Sequence, residues 1–173
     1  LIATLLAPAL TANAALITWN GNGDGVSWSD GSNWVGGSGP SNNDTFSISN
    51  TTVDYDVSGL TLGVRSTLNN ATLNLTASHL INIPAGNTTN PLQMLNNSFI
   101  NVTGGTHTIA GRINYDNGGS AAHSGGINIV GSTAVLNSGQ LINWSPTLSF
   151  EFDALGVGTI NYGSYAGIAA ASL

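Results

Sequence analysis

The sequence predicts an all-β fold, a parallel β-solenoid with about 27 residues per coil. A trio of one apolar residue, one Asn and one apolar residue recurs at a step of 27, as Leu73-Asn74-Leu75, Ile100-Asn101-Val102 and Ile127-Asn128-Ile129. A fixed period in this range is typical of repeat architectures. Within each repeat, apolar and polar residues alternate as they do in a half-buried strand. No segment shows helical periodicity, so stacked strands are expected throughout.

The coils are predicted over residues 46–145. One step of 27 back from Leu73 reaches Phe46-Ser47-Ile48, which we interpret as the first copy of the trio. A polar break and a second apolar run follow each copy, and these runs contain Val53, Leu80, Ile109 and Leu136. In the run Leu80-Ile81-Asn82-Ile83, either alternate set could point inward. A weaker third strand is expected near Leu60, Ile113 and Leu141.

The corners between these strands are rich in Asn and Gly. Both residues tolerate left-handed backbone conformations, and Asn side chains can stack in ladders between coils. Three short strands per turn with such corners describe a parallel β-helix.

Residues 1–14 are interpreted as part of a signal peptide. The segment is apolar and ends in Ala12-Asn13-Ala14, a small-x-small cleavage pattern. The apolar run is too short to span a bilayer. We expect the mature protein to begin at Ala15 and the sequence to be a fragment of a longer reading frame.

Residues 15–45 form a Gly- and Trp-rich segment that contains Trp19, Trp28 and Trp34. The first coil of a solenoid exposes an apolar end and unpaired strand edges, which atypical terminal segments usually cover. We predict that this segment is such a cap, with its indole rings packed near Phe46 and Ile48. A sugar-binding role for the same rings requires them to be exposed.

Residues 146–173 form a separate C-terminal segment in this interpretation, because the trio does not recur there. The stretch 148–153 alternates as a fresh strand, and we expect the segment to be truncated.

Composition excludes several classes of partner. Charged residues make up 6% of the chain, Lys is missing, and the net charge is −6 with only Arg65 and Arg112 as cations. Nucleic-acid binding needs clustered Lys and Arg to displace counterions, so we exclude it. The chain has no Cys, which excludes disulfides and thiolate metal sites.

The N-terminal pattern resembles that of a known group of secreted proteins. Thr18-Trp19-Asn20 is followed by Trp28, Trp34, Gly39-Pro40 and Asp44, and then by a strand. This order is similar to the opening of bacterial proteins with autotransporter-associated β-strand repeats and PEP-CTERM sorting domains. The segment 148–157 is similar to the strand that often follows their solenoids. The resemblance implies a right-handed β-helix, export from a Gram-negative bacterium, and a cell-surface or extracellular-matrix location.

The N-terminal segment contains one candidate calcium site. Asn20-x-Asn22-x-Asp24-Gly25 partly matches the start of a calcium-binding loop, in which alternate residues supply oxygen ligands. The first ligand is a neutral Asn, and Gly31 stands where the bidentate Glu belongs. We therefore favour a Gly-rich turn, and no cofactor or metal is predicted.

The acidic and histidine residues do not predict a catalytic site. Asp54 and Asp56 flank Tyr55 on one strand face, as paired acids for glycoside cleavage could, but a solvated outer face is the simpler interpretation. With Ile81 and Ile83 at the equivalent positions one coil on, no polar groove continues. His79, His107 and His123 are interpreted as corner or surface residues. Arg65 and Arg112 fall at different phases of the repeat. Asp44, Glu151 and Asp153 have similar phases but lie about four coils apart, so these charged residues do not converge.

The sequence therefore favours an exported, non-enzymatic solenoid with a structural or adhesive role at the cell surface. Extracellular polysaccharide or other surface proteins are the candidate partners. Two alternatives stay open: a carbohydrate-active β-helix whose active region lies outside this fragment, and a carbohydrate-binding module. In the second, Trp19, Trp28, Trp34 or Trp144 would stack on sugar rings.

Overall fold

The computed structural model describes residues 14–63, 65–76, 79–84, 92–116, 125–143 and 158–167. These residues form a parallel β-solenoid of about four turns, with about 26 residues per turn. Its strands are β1 Leu16–Thr18, β2 Thr45–Ser49, β3 Thr52–Tyr55, β4 Ser66–Asn69, β5 Thr72–Leu75, β6 Asn82–Ile83, β7 Leu92–Leu95, β8 Phe99–Val102, β9 Gly105–Asp116, β10 Gly126–Ile129, β11 Ala134–Asn143 and β12 Thr159–Gly167. The predicted fold class is confirmed.

The strands stack into two parallel sheets. The long sheet has the order β1-β2-β4-β7-β9-β11-β12, with β6 beside the first half of β9, and the short sheet has the order β10-β8-β5-β3. β9 pairs with β6 through Ile109 and with β7 through Ile113, so one strand covers two faces of the coil. On β11 the register shifts between Ser138 and Gln140, where a Cβ at Gly139 would clash with the carbonyl oxygen of Ala110. Glycine is required there to let the chain bend between faces.

The repeat brings the predicted trio into one inward row. Ile100 pairs with Leu73 on one side and with Ile127 on the other. The residue below Leu73 is Val53, not Phe46, so our placement of the first copy was wrong. Phe46 lies on β2 of the long sheet. The first coil is shorter than the period of 27, since the step from Asp54 to Asn74 is 20 residues.

The ambiguous second run is resolved. Ile81 and Ile83 are buried and Leu80 is 45% exposed, so the inward set is the isoleucine pair. Ile83 pairs with Ile109 in the next coil. The third-strand prediction is confirmed for Ile113 and Leu141, which are paired. Thr61, beside Leu60, instead bridges to Asn82 on β6.

Asn residues turn the corners from the long sheet to the short sheet. Asn50, Asn70 and Asn96 have φ values of 57°, 50° and 56°, and each follows β2, β4 or β7 within two residues. Asn adopts this left-handed conformation more readily than most residues because its amide can bond locally. The expectation that Asn shapes the corners is therefore confirmed.

The ladder includes strands on both sides of residues 46–145. β1 pairs with β2, and β12 pairs with β11 through most of its length. Trp144, the expected strand at 148–153, His123 and the signal-like residues 1–13 lie outside the described residues. No helix in the described part of the chain is long and apolar enough to cross a membrane.

Candidate functional site: the N-terminal cap and the outer amide columns

The three tryptophans of the N-terminal segment form one buried cluster. Trp19, Trp28 and Trp34 are 9%, 1% and 1% exposed. Their rings meet edge to face, with centroids 4.9 Å apart for Trp19 and Trp34 and 4.8 Å apart for Trp28 and Trp34. Trp28 also contacts Phe46 and Tyr55 at 5.0 Å each. Edge-to-face pairs add attraction to the area they bury, so the cluster joins the segment to the first coil.

Backbone pairing holds the same segment across both sheets. β1 extends the long sheet beside β2, and the Val35 amide donates to the Thr18 carbonyl oxygen at 2.8 Å. At the short sheet, the Trp28 amide donates to the Asp54 carbonyl, and the Asp54 amide donates to the Val26 carbonyl, both at 3.0 Å. The segment thus covers the first edge of each sheet, which is the geometry expected of a cap.

Asn33 organises the interior of the cap. Its side chain is fully buried, and its Oδ1 accepts from the amides of Gly23 and Gly25 at 2.9 Å each. Its Nδ2 donates to the Asp24 carboxylate at 2.7 Å and to the Ser27 carbonyl at 3.0 Å. All four hydrogen-bonding positions of the amide are therefore used. Sequence reasoning missed this residue, because nothing distinguishes Asn33 from the other Asn and Ser residues nearby.

The candidate calcium ligands are engaged within this loop. Asn20 Oδ1 accepts from the Asn22 amide at 2.9 Å. Asp24 Oδ1 accepts from the amides of Val26 and Ser27 at 2.9 and 2.8 Å. Hydrogen bonds from Ser27 and Val26 hold the pKa of the Asp24 carboxyl well below its usual range. Within the described residues, no three His, Cys, Asp or Glu side chains cluster as metal ligands would.

The two acids beside Tyr55 have separate partners. Asp56 accepts from the Ser29 amide at 2.7 Å and from the Ser29 hydroxyl at 2.6 Å, so it ties the cap to the coil. Asp54 accepts from Asn74 Nδ2 at 2.7 Å. The residue one coil on from Asp54 is thus Asn74, and our placement of Ile81 and Ile83 at the equivalent positions was wrong. The shorter first coil caused that error.

Asp54 is the base of a column of amides on the outer face of the short sheet. Asn74 donates to Asp54, Asn101 donates to Asn74, and Asn128 donates to Asn101, with lengths of 2.7, 2.8 and 2.8 Å. Every amide in the column points its NH2 group toward the cap. A carboxylate has no hydrogen to offer, so Asp54 ends the column with an acceptor only.

Further amide contacts follow other edges of the solenoid. They join Asn50 to Asn70, Asn70 to Asn97, Asn69 to Asn96, and Asn137 to Asn161. The sequence signal for these contacts was the recurrence of Asn at the coil period, which predicted the ladders in general. It did not predict their direction.

The histidines have different surroundings. His107 is fully buried, so our interpretation of it as a corner or surface residue was wrong. It occupies an inward position of β9 in register with Leu136 on β11. His79 is partly exposed. Alternation alone predicts an aliphatic residue at such an inward position. It therefore does not indicate that a histidine is buried there.

No family model, curated protein or solved structure matches this chain. The case for function therefore depends on the geometry described above.

Proposed function

We propose that this chain is an exported, non-enzymatic β-solenoid that serves as a structural or adhesive component of the cell surface or extracellular matrix of a Gram-negative bacterium. The observation that carries the proposal is the in-register stack with one covered end and ordered, nearly uncharged outer faces. Such a stack is rigid, because each coil is fixed to its neighbours by backbone and side-chain bonds.

The buried cap supports this proposal over sugar binding by the N-terminal tryptophans. Sugar stacking needs an exposed aromatic face, whereas Trp28 and Trp34 are 1% exposed. Trp34 Nε1 also donates to the Trp28 carbonyl at 2.8 Å, so the edge of that ring is occupied as well. A ligand could reach these rings only if the cap opened.

The outer faces support a role in surface contacts. Asn74, Asn101 and Asn128 hold one another in fixed orientations, which lowers the entropy lost when a surface side chain binds a partner. With 6% charged residues in the chain, contacts would be made through amides and hydroxyls rather than ion pairs.

A localisation and adhesion experiment tests the proposal. A tagged copy is expressed behind a complete signal peptide in a Gram-negative host, and its distribution among the cell fractions is measured. In a second assay, beads coated in purified protein are tested for binding to neutral and acidic polysaccharides. We expect the protein in the outer-surface or extracellular fraction and adhesion by coated beads. An Ile100→Asp variant, which should not fold, is the matched control. Retention in the cytoplasm, or release of reducing sugar from a polysaccharide by the purified protein, would overturn the proposal.

A further inference from the structure

His107 connects two successive coils through its imidazole ring. Nδ1 accepts a hydrogen bond from the Ile81 amide at 3.4 Å, and Nε2 lies 2.9 Å from the Gly104 carbonyl oxygen. Ile81 belongs to the preceding coil, since its own carbonyl accepts from the Thr108 amide at 3.1 Å. The ring therefore attaches Ile81 and β6, which together we call the β6 rung, to β9.

These contacts require one protonation state. A nitrogen that accepts from an amide carries no hydrogen, and a nitrogen beside a carbonyl must donate one. The ring is thus neutral, with its hydrogen on Nε2. Adding a proton to Nδ1 would set an N–H group against the Ile81 N–H group, so that hydrogen bond cannot survive.

The surroundings of the ring resist a charge but also contain acceptors that favour one. Burial lowers the pKa of His107, while the carbonyl groups of Gly104 and Thr76 act in the opposite direction. Thr76 lies at the other end of the connection that leads to Ile81. The Thr76 carbonyl group is therefore an acceptor that favours the protonated ring.

No described neighbour supplies a compensating negative charge. β6 and β11 carry no ionisable residue, and neither do β5, β8 and β10 across the core. His79 lies on the connection before β6, and β9 itself carries Arg112 on its second half and Asp116 at its end.

We propose that His107 is an acid-sensitive latch: protonation of its ring breaks the bond to Ile81 and releases the β6 rung from β9 while the rest of the solenoid stays folded. β6 is a suitable element to release because it contains only two residues, Asn82 and Ile83. The bond from Ile81 to His107 fixes this rung to β9, whereas the side-chain bond from Asn82 Nδ2 to Thr61 Oγ1, at 3.2 Å, fixes it to the preceding coil.

The sign of the pH dependence follows from the buried neutral ring. The latched form is favoured above the unfolded histidine pKa of about 6.5, and it weakens as the pH falls from there toward the lower pKa of the folded state. In that range the open form binds the proton more tightly, so opening should become about tenfold more frequent for each pH unit.

Amide hydrogen exchange tests the latch. The protein carries His79→Gln and His123→Gln, so that His107 is the single imidazole seen by NMR. Exchange of the Ile81 and Ile83 amides is followed from pH 7.5 to pH 5 and corrected for the intrinsic rate. We expect their protection to fall by about tenfold per pH unit from about 6.5 down to the lower pKa of the folded ring, while the Leu73 amide keeps its protection.

A matched variant separates titration of the ring from other effects of acid. His107→Gln keeps an oxygen that can accept from Ile81 but cannot titrate, so its Ile81 protection should not change with pH. If His107→Gln loses protection as the parent does, the latch is wrong. If that variant does not fold, the parent decides: flat Ile81 protection, or a His107 pKa of 6.5 or higher, overturns the proposal.

Discussion

The cap and the coils exclude water from their interiors by different means. In the cap, Trp28 and Trp34 fill the space, and the irregular backbone is held by side chains such as Asn33 and Asp24. In the coils, single aliphatic residues such as Ile100 stack on equivalent residues one coil away, and the backbone ladder satisfies the polar groups. The periodic coils therefore depend on few specific side-chain contacts for their stability, whereas the non-periodic cap depends on many.

Replacing Ile100 with Asp should have the largest effect. Ile100 is fully buried between Leu73 and Ile127, so a carboxylate there would have no partner in a dry core. We expect a loss of more than about 4 kcal/mol in the free energy of unfolding, measured by urea titration of circular dichroism. Ile100→Val is the control and should cost about 1 kcal/mol. A cooperative transition at the parental midpoint would contradict the assignment of this row.

Replacing Trp28 with Ala tests whether the cap and coils are separate units. We expect a loss of about 3–5 kcal/mol near the cap from the cavity it leaves. Since repeats are stabilised mainly by their neighbours, amides around Phe46 should lose more exchange protection than those of β10. Val35→Ala, at a position 58% exposed, should change stability by less than about 0.5 kcal/mol. Equal losses at Phe46 and β10 would show one cooperative unit instead.

Replacing Asn33 with Ala tests the hydrogen-bonded interior of the cap. The amides of Gly23 and Gly25 would lose their acceptor, and the Asp24 carboxylate would lose the Asn33 amide as a donor. We expect a cost of about 2–3 kcal/mol, seen as a lower thermal midpoint of tryptophan fluorescence. Asn22→Ala is the matched control, because that side chain is exposed. Equal midpoints for the two variants would show that Asn33 does not stabilise the cap.

Two Asp substitutions test the hydrogen bonds of the amide column on the coils. Asn101→Asp replaces the NH2 group that donates to Asn74, and we expect a cost of about 1 kcal/mol. Asn74→Asp sets a second carboxylate directly against Asp54, so its cost should be larger and should shrink as salt is added. Chemical denaturation at low and high salt measures both. Equal costs in the two positions would contradict the contact between Asn74 and Asp54.

The smallest expected effect is the acid response of the cap through Asp24. The pKa of this carboxyl is lowered in the folded protein, so its stabilising effect is present above the unfolded value of about 3.9 and is lost as the pH falls below it. Tryptophan fluorescence between pH 5 and pH 2.5 should report the loss. Asp24→Asn should show a smaller pH dependence in that range. An unchanged profile in this variant would assign the acid response to other groups.

Much of the coil geometry was predictable from the sequence, and little of the cap interior was. Leu73, Ile100 and Ile127 were aligned correctly because their spacing is constant and alternation sets which side points inward. Phe46 was misplaced because a period says nothing about a coil that is shorter than the others. Asn33 could not be found, since its role depends on four partners brought together by an irregular loop.

The sequence by itself determined the stacked β architecture, the inward rows and the Asn corners. These depend on local alternation, on a repeated step, and on the backbone preferences of Asn, all of which are properties of short segments. Only the tertiary structure decided the register of the first coil, the direction of the column that ends at Asp54, and the burial of His107. Each of these depends on how many residues a loop contains and on which distant groups it brings into hydrogen-bonding distance.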